Sequence, residues 1–276
     1  MVMENVCYMI ILGFLFTSCS TIKRKLYSPT QVNNPSLRTK NDYNVSASAS
    51  VPLGFDLNAG YAITNRLAVI GGLYNYKNND YEEGYSLVSS NRSSSNLQYK
   101  HKGFHVGAGI YLPVSHNNTS TFVSFFGGYT KGDFEMNETL SEEAPVAAAP
   151  KINFYKSNID RYFLQGSFNL YLPHIHQSFI LRYNRVLYDN VITDYDNEQQ
   201  FSFNLPPKVY SKWSSFLDLS FDTKIFFSKQ QRIGLQVFGT MATRVNRKEY
   251  NFYINNFRAG IGLVYKSPEI KRKIKK

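Results

Sequence analysis

From Tyr43 to Tyr265 the chain alternates apolar and polar residues, one by one, in segment after segment. A period of two belongs to a strand with two unlike faces, because successive side chains of an extended chain point to opposite sides. Tyr43, Val45, Ala47, Ala49 and Val51 alternate with Asn44, Ser46, Ser48 and Ser50, and Phe55, Leu57, Ala59 and Tyr61 with Asp56, Asn58 and Gly60. Further on, Tyr162, Leu164, Phe168 and Leu170 oppose Arg161, Gln165, Ser167 and Asn169. Trp213, Leu217, Leu219, Phe221 and Ile225 oppose Asp218, Ser220, Asp222 and Lys224, and Phe257, Ala259, Ile261, Leu263 and Tyr265 oppose Arg258, Gly260 and Gly262. No helical period persists beyond residue 43.

Ten segments read this way: 43–51, 55–63, 67–77, 98–112, 119–136, 152–172, 178–192, 211–227, 232–245 and 251–266. The connections at 64–66, 115–118, 173–177 and 228–231 are short, while those at 78–97, 137–151 and 193–210 are long and polar or Pro-containing. The expected fold is an all-β, antiparallel up-and-down transmembrane β-barrel of about 10 strands, with 8 or 12 compatible. Alternation alone does not say which face is wet, since a soluble sandwich and a membrane barrel share the pattern. Segment length favours the barrel, because strands of globular domains run ~5–6 residues. So does the placing of aromatics near segment ends. Tyr111, Phe122, Tyr171, Phe179, Phe226 and Tyr265 sit on the short-turn side, and Tyr76, Tyr129, Tyr188, Trp213 and Tyr253 on the other, as two interfacial girdles would.

The front end adds export. Val6 to Phe16 is an uncharged apolar run, too short to span a bilayer and suited to a secretory signal. Thr17-Ser18-Cys19, which follows it, resembles the lipobox of bacterial lipoproteins. That resemblance implies cleavage before Cys19 and lipidation of its thiol. Phe16 and the acidic Glu4 depart from the usual pattern. Cleavage would also remove Cys7, so the domain must hold together without disulfides. The division is then a signal peptide at 1–18, a lipidated N-terminus and tether at 19–42, a β-barrel at 43–266 and a basic tail at 267–276.

As a whole, residues 43–266 resemble the small outer-membrane β-barrel proteins of Gram-negative bacteria, the porin-like and OmpA-like barrels. The segments that carry the resemblance are N-V-S-A-S-A-S at 44–50, G-F-D-L-N-A-G-Y-A-I-T-N-R at 54–66 and A-G-I-G-L-V-Y at 259–265. It implies an outer-membrane location. Family members usually end on an aromatic strand closer, whereas here Tyr265 is followed by a further basic stretch.

Lys and Arg number 31 against 20 Asp and Glu. Much of the excess sits at Lys23-Arg24-Lys25 and at Lys271-Arg272-Lys273 with Lys275 and Lys276. No basic-aromatic module accompanies it, so nucleic acid is not an expected partner. Both ends are expected on the periplasmic side, beside anionic lipid. The partners are then outer-membrane lipid and lipopolysaccharide, with a membrane protein as a further option.

On the polar face lie Asp56, Arg161, Arg182, Asp218, Asp222, Lys224, Arg232, Arg244 and Arg258. In a barrel these point into a narrow lumen, where charge must be paired or solvated. They make either an internal salt-bridge network or a cation-rich passage. His101 and His105 stand too far apart along a strand to share a metal, and His174 and His176 flank a turn. Asp194, Asp196, Asn197 and Glu198 could hold Ca²⁺ but lack the EF-hand spacing. His176 and Ser178 resemble the His/Ser pair of outer-membrane lipid hydrolases without the rest of that motif. No P-loop or nucleophile elbow is present, and no cofactor or catalytic set is expected. A non-enzymatic barrel of structural or partner-binding role is the first reading. A narrow channel for small anions and a lipid hydrolase are the alternatives.

Overall fold

A computed structural model describes residues 24–85, 92–114, 120–142, 151–197, 200, 205–206, 213–227, 232–245 and 253–267. Signal residues 1–18, Cys19, Lys23 and the basic tail from 268 lie outside the described residues.

Ten strands close a barrel: β2 (Tyr43–Val51), β3 (Gly54–Ala62), β4 (Leu67–Tyr85), β5 (Arg92–Pro113), β6 (Thr121–Glu142), β7 (Lys151–Tyr171), β8 (Ile175–Thr193), β9 (Ser214–Phe226), β10 (Ile233–Arg244) and β12 (Phe257–Lys266). Two short elements stand apart. β1 (Lys25–Tyr27) pairs in parallel with β11 (Tyr253–Ile254). Each barrel strand pairs antiparallel with its chain neighbour, and β12 closes on β2 with Ala259 opposite Val51 and Lys266 opposite Asn44. The expected fold class and strand number hold. Around the ring each strand has a partner on both sides over its lower part, as a lipid environment requires.

The wall is inside out relative to a soluble protein. Leu164 is 66% exposed and Leu263 61%, whereas Asp218 is fully buried and Arg258 almost so. Apolar side chains point outward along the strands, for example Phe104, Val106 and Ile110 on β5, or Phe257, Ile261, Leu263 and Tyr265 on β12. Nine or ten residues at ~3.3 Å each, tilted by ~45°, rise ~22 Å, close to the ~25 Å apolar band of a membrane barrel.

The wall is also uneven. β4 to β8 run 19 to 22 residues, whereas β2, β3 and β12 run 9 or 10. Most of the stretch expected as a loop at 78–97 is therefore strand. Above the apolar belt the outward positions of the tall strands turn mostly polar, with Tyr81, Ile152 and Ile192 as exposed apolar exceptions. Asn75, Lys102, Asp133, Asn158 and Asp189 face one another across the register and mark its upper edge on the long-loop side.

The expected aromatic girdles form only in part. Phe179 and Tyr265 do face outward, but Tyr76, Tyr111, Phe122, Tyr171, Tyr188 and Phe226 are buried inside. Strand parity decides this: each shares its face with lumen residues such as Tyr74, His105, Ser124, Asn169, Arg182 or Lys224.

Candidate functional site

The lumen is not empty. Residues 24–42, part of the tether expected at 19–42, run through its bore, and residues 26–37 are all buried. Their contacts advance in order from the long-loop end to the short-turn end. Arg24 pairs with Glu138 at 2.5 Å, and Lys25 with Asp80 at 3.1 Å. The Tyr27 ring stacks on Phe216 at 3.9 Å, and its hydroxyl donates to Asp218 at 3.0 Å. Ser48 and Asn58 both donate to Gln31 Oε1. The Asn33 amide donates to the carbonyls of Ala59 and Gly71, and that of Asn34 to Asn169. Finally the backbone N–H of Lys40 donates to Asn65, in the β3–β4 turn.

Two apolar clusters hold the ends of this segment. Leu26 and Tyr27 pack with Leu97, Tyr99, Phe134, Met136, Tyr155 and Tyr188 inside the tall wall. Leu37 packs with Ala62, Ile70, Tyr111, Phe122, Phe163 and Tyr171 at the short-turn end. Between them the wall gives way: a Cβ on Gly60 would stand 2.4 Å from the Pro35 side chain. The segment leaves the lumen through a tight turn. Asp42 accepts from the backbone N–H groups of Arg38 and Thr39, while Asn41 takes a left-handed φ of 69° and reverses the chain into β2.

The charged wall residues meet this segment. Asp56 pairs with Arg258 at 2.6 Å, Asp218 with Arg182 at 2.7 Å and Asp222 with Lys224 at 3.1 Å. These three ion pairs are internal, and the wall's cations also reach inward. Arg161 donates to Thr30 Oγ1, and Arg182 donates to the carbonyl and the hydroxyl of Thr30. Arg258 donates to the Pro29 carbonyl, and Lys224 to the Asn34 carbonyl and the Ser36 hydroxyl. Arg161 also lies over the Tyr27 ring, 5.2 Å from its centroid. Cations taken out of water need such acceptors.

Seven of the nine expected lumen charges are buried in this network. Arg244 has lumen parity but sits half-buried at the end of β10. Arg232 does not face the lumen: it precedes β10 in the short β9–β10 connection and is exposed. The alternation there was extended one residue past the strand end.

Nor did the sequence reading find the lumen segment itself. One signal was there: residues 26–37 carry no charge but are rich in Ser, Thr, Gln and Asn. Such a stretch suits a bore already lined with ions.

At the long-loop end, Glu138 is fully buried and accepts hydrogen bonds from Arg24, Ser95 and Tyr195. Burial, and then its bond to Glu138, push the Tyr195 phenol well above its ordinary range. Ser178 donates to Asn169, and the His176 ring packs against Tyr171 and Phe226, so among the described residues these two do not form a nucleophile–base pair. Asp194 accepts from the Phe154 N–H, and Glu198 lies outside the described residues. No group of three metal-ligating side chains occurs among the described residues.

No family model matches the sequence, and no curated protein does. Among solved structures, the chain is similar to the outer membrane protease OmpT from Escherichia coli. There the TM-score is 0.49 at 8% identity, over 82% of this chain and 93% of that one. It is also similar to CarO from Acinetobacter baumannii, with a TM-score of 0.28 at 9% identity, over 84% of this chain and 99% of that one. CarO2 from the same organism gives 0.27 at 9% identity, over 82% and 98%.

Proposed function

We propose that this protein is an outer-membrane β-barrel lipoprotein, sealed by its own N-terminal segment and serving a structural or partner-binding role rather than a catalytic or conductive one. One observation carries the reading: Arg161, Arg182, Lys224 and Arg258 each donate a hydrogen bond to residues 29–36. Wall charge so engaged is a lining fitted to a resident segment, not to a passing solute. The apolar belt meets lipid, and Lys102 and Lys131 stand at its upper edge, where lipopolysaccharide phosphate is found. The tall polar wall above offers the surface for a partner.

Planar-bilayer recording tests the seal. The full chain is expected to give no steady conductance. Deletion of residues 26–37 is expected to open a pore, since the buried lumen cations and carboxylates then face water in place of the segment. Should that deletion fail to assemble, Gly60→Leu does the same work by colliding with Pro35. Steady conductance from the intact chain would refute the seal and restore the narrow anion channel.

A further inference from the structure

The lumen segment has a direction, and the direction has a consequence for the membrane. β2 begins at the short-turn end, and Asn41 and Asp42 lie there, bonded to Ala62. Running back from that point, the chain rises through the bore and reaches the opposite end at Arg24. The level at which it arrives can be read from the wall. Asn75, Lys102 and Asp133 mark where the outward face turns from apolar to polar. The partners of Arg24 and Lys25 are Glu138, Asp80 and Tyr99, three to five residues beyond that row toward the long loops. Arg24 therefore stands past the membrane belt, on the long-loop side. The other end of the described chain does not: the Ser267 N–H donates to the Tyr43 carbonyl at 2.9 Å, at the short-turn end. The two ends of the described chain, Arg24 and Ser267, lie at opposite mouths of the barrel.

From this we infer that the protein threads its N-terminus through its own barrel, so that Cys19 and its lipid are displayed on the outer, long-loop face of the membrane. Long loops face outward and short turns the periplasm in barrels of this kind. Cys19 stands five residue steps before Arg24, a reach of at most ~18 Å. The way back to the short-turn mouth would take ~50 Å of extended chain, the length that residues 25–40 already occupy in the bore. No path within that reach returns Cys19 to the periplasmic side. The segment is held at both ends by Leu26 with Tyr27 and by Leu37, so the threading is part of the folded barrel rather than a loose arm.

The inference rests on the outer-membrane lipoprotein reading, and one experiment separates the two. Single cysteines are placed in the full chain at Lys23→Cys, at Asp196→Cys beyond β8 on the long-loop side, and at Asn65→Cys in the β3–β4 turn. Cells are treated with a membrane-impermeant maleimide before and after the outer membrane is permeabilised; acylation blocks Cys19 and cleavage removes Cys7. Lys23→Cys is expected to label in intact cells, as Asp196→Cys does, and Asn65→Cys only after permeabilisation. A Lys23→Cys variant that follows Asn65→Cys overturns the threading while leaving the barrel in place. Equal labelling at Asp196→Cys and Asn65→Cys removes the outer-membrane reading and the inference with it. Because a label at residue 23 could be shielded, Asn34→Cys with Asn169→Cys is oxidised in the folded protein. A disulfide-shifted band supports the threaded segment, and its absence counts against it.

Discussion

Asp218 shows how much one side chain carries. It is fully buried and accepts from Tyr27 at 3.0 Å, Arg182 at 2.7 Å and Asn184 at 2.9 Å. Two of these donors come from the wall and one from the lumen segment, so the carboxylate joins them. Replacing it by alanine removes the ion-pair partner of Arg182 and leaves its hydrogen bonds to Thr30. Removing one partner of a buried pair costs ~3–5 kcal/mol. Asp218→Ala is therefore expected to lower the urea midpoint of unfolding, while Asp218→Asn recovers part of the loss by keeping an acceptor. An unchanged midpoint in Asp218→Ala would remove the network from the account of stability. That Asp218 faces the lumen was legible from its place between Leu217 and Leu219. That it binds Tyr27, 191 positions away, was not, because alternation reports a face and not a partner.

Among the elements, β4 to β8 form a tall wall and β2, β3, β9, β10 and β12 a low one. The tall strands need an inner filling above the membrane, and the cluster around Leu26, Tyr99, Phe134 and Tyr188 supplies it. The lumen segment is clamped there and at Leu37, with hydrogen bonds between. Truncating a buried leucine costs ~2–5 kcal/mol. Leu26→Ala combined with Leu37→Ala is expected to speed amide exchange across residues 30–36 while β7 and β8 stay protected. Equal loss of protection in the wall would mean that segment and barrel unfold as one unit. Strand identity was well legible, since each strand alternates on its own. Strand ends beyond residue 77 and before 98 were not. There Asn, Asp, Glu and Ser dominate, and the period fades where water lies outside.

At the scale of the whole molecule, the prediction concerns the phase in which it resides. A closed barrel with an apolar belt stays folded in detergent until heated. The protein is expected to run faster on a gel unboiled than boiled, and to stay membrane-bound when Cys19→Ser removes the acyl site. Release of the Cys19→Ser variant as a soluble folded domain would refute insertion by the barrel. The outward faces of β2, β3, β7, β9 and β12 were assigned correctly from sequence, and so was the antiparallel order with alternating short and long connections. The aromatics near strand ends were the poorer guide. Tyr111, Phe122 and Tyr171 turn inward and cap Leu37 instead of ringing the belt.

The local pattern of side chains determined by itself that the chain makes about ten two-faced strands, which of their faces is apolar, and that charge lines the other. These properties repeat every second residue and need no knowledge of distant contacts. Tertiary structure alone decided that the bore is filled, by which residues, and in which direction. Residues 26–37 have no regular period, and their polar side chains are as compatible with water as with a lumen. Only closure of the ten strands creates the cations, carbonyls and apolar ends that draw this segment inside and point Arg24 at the long-loop mouth.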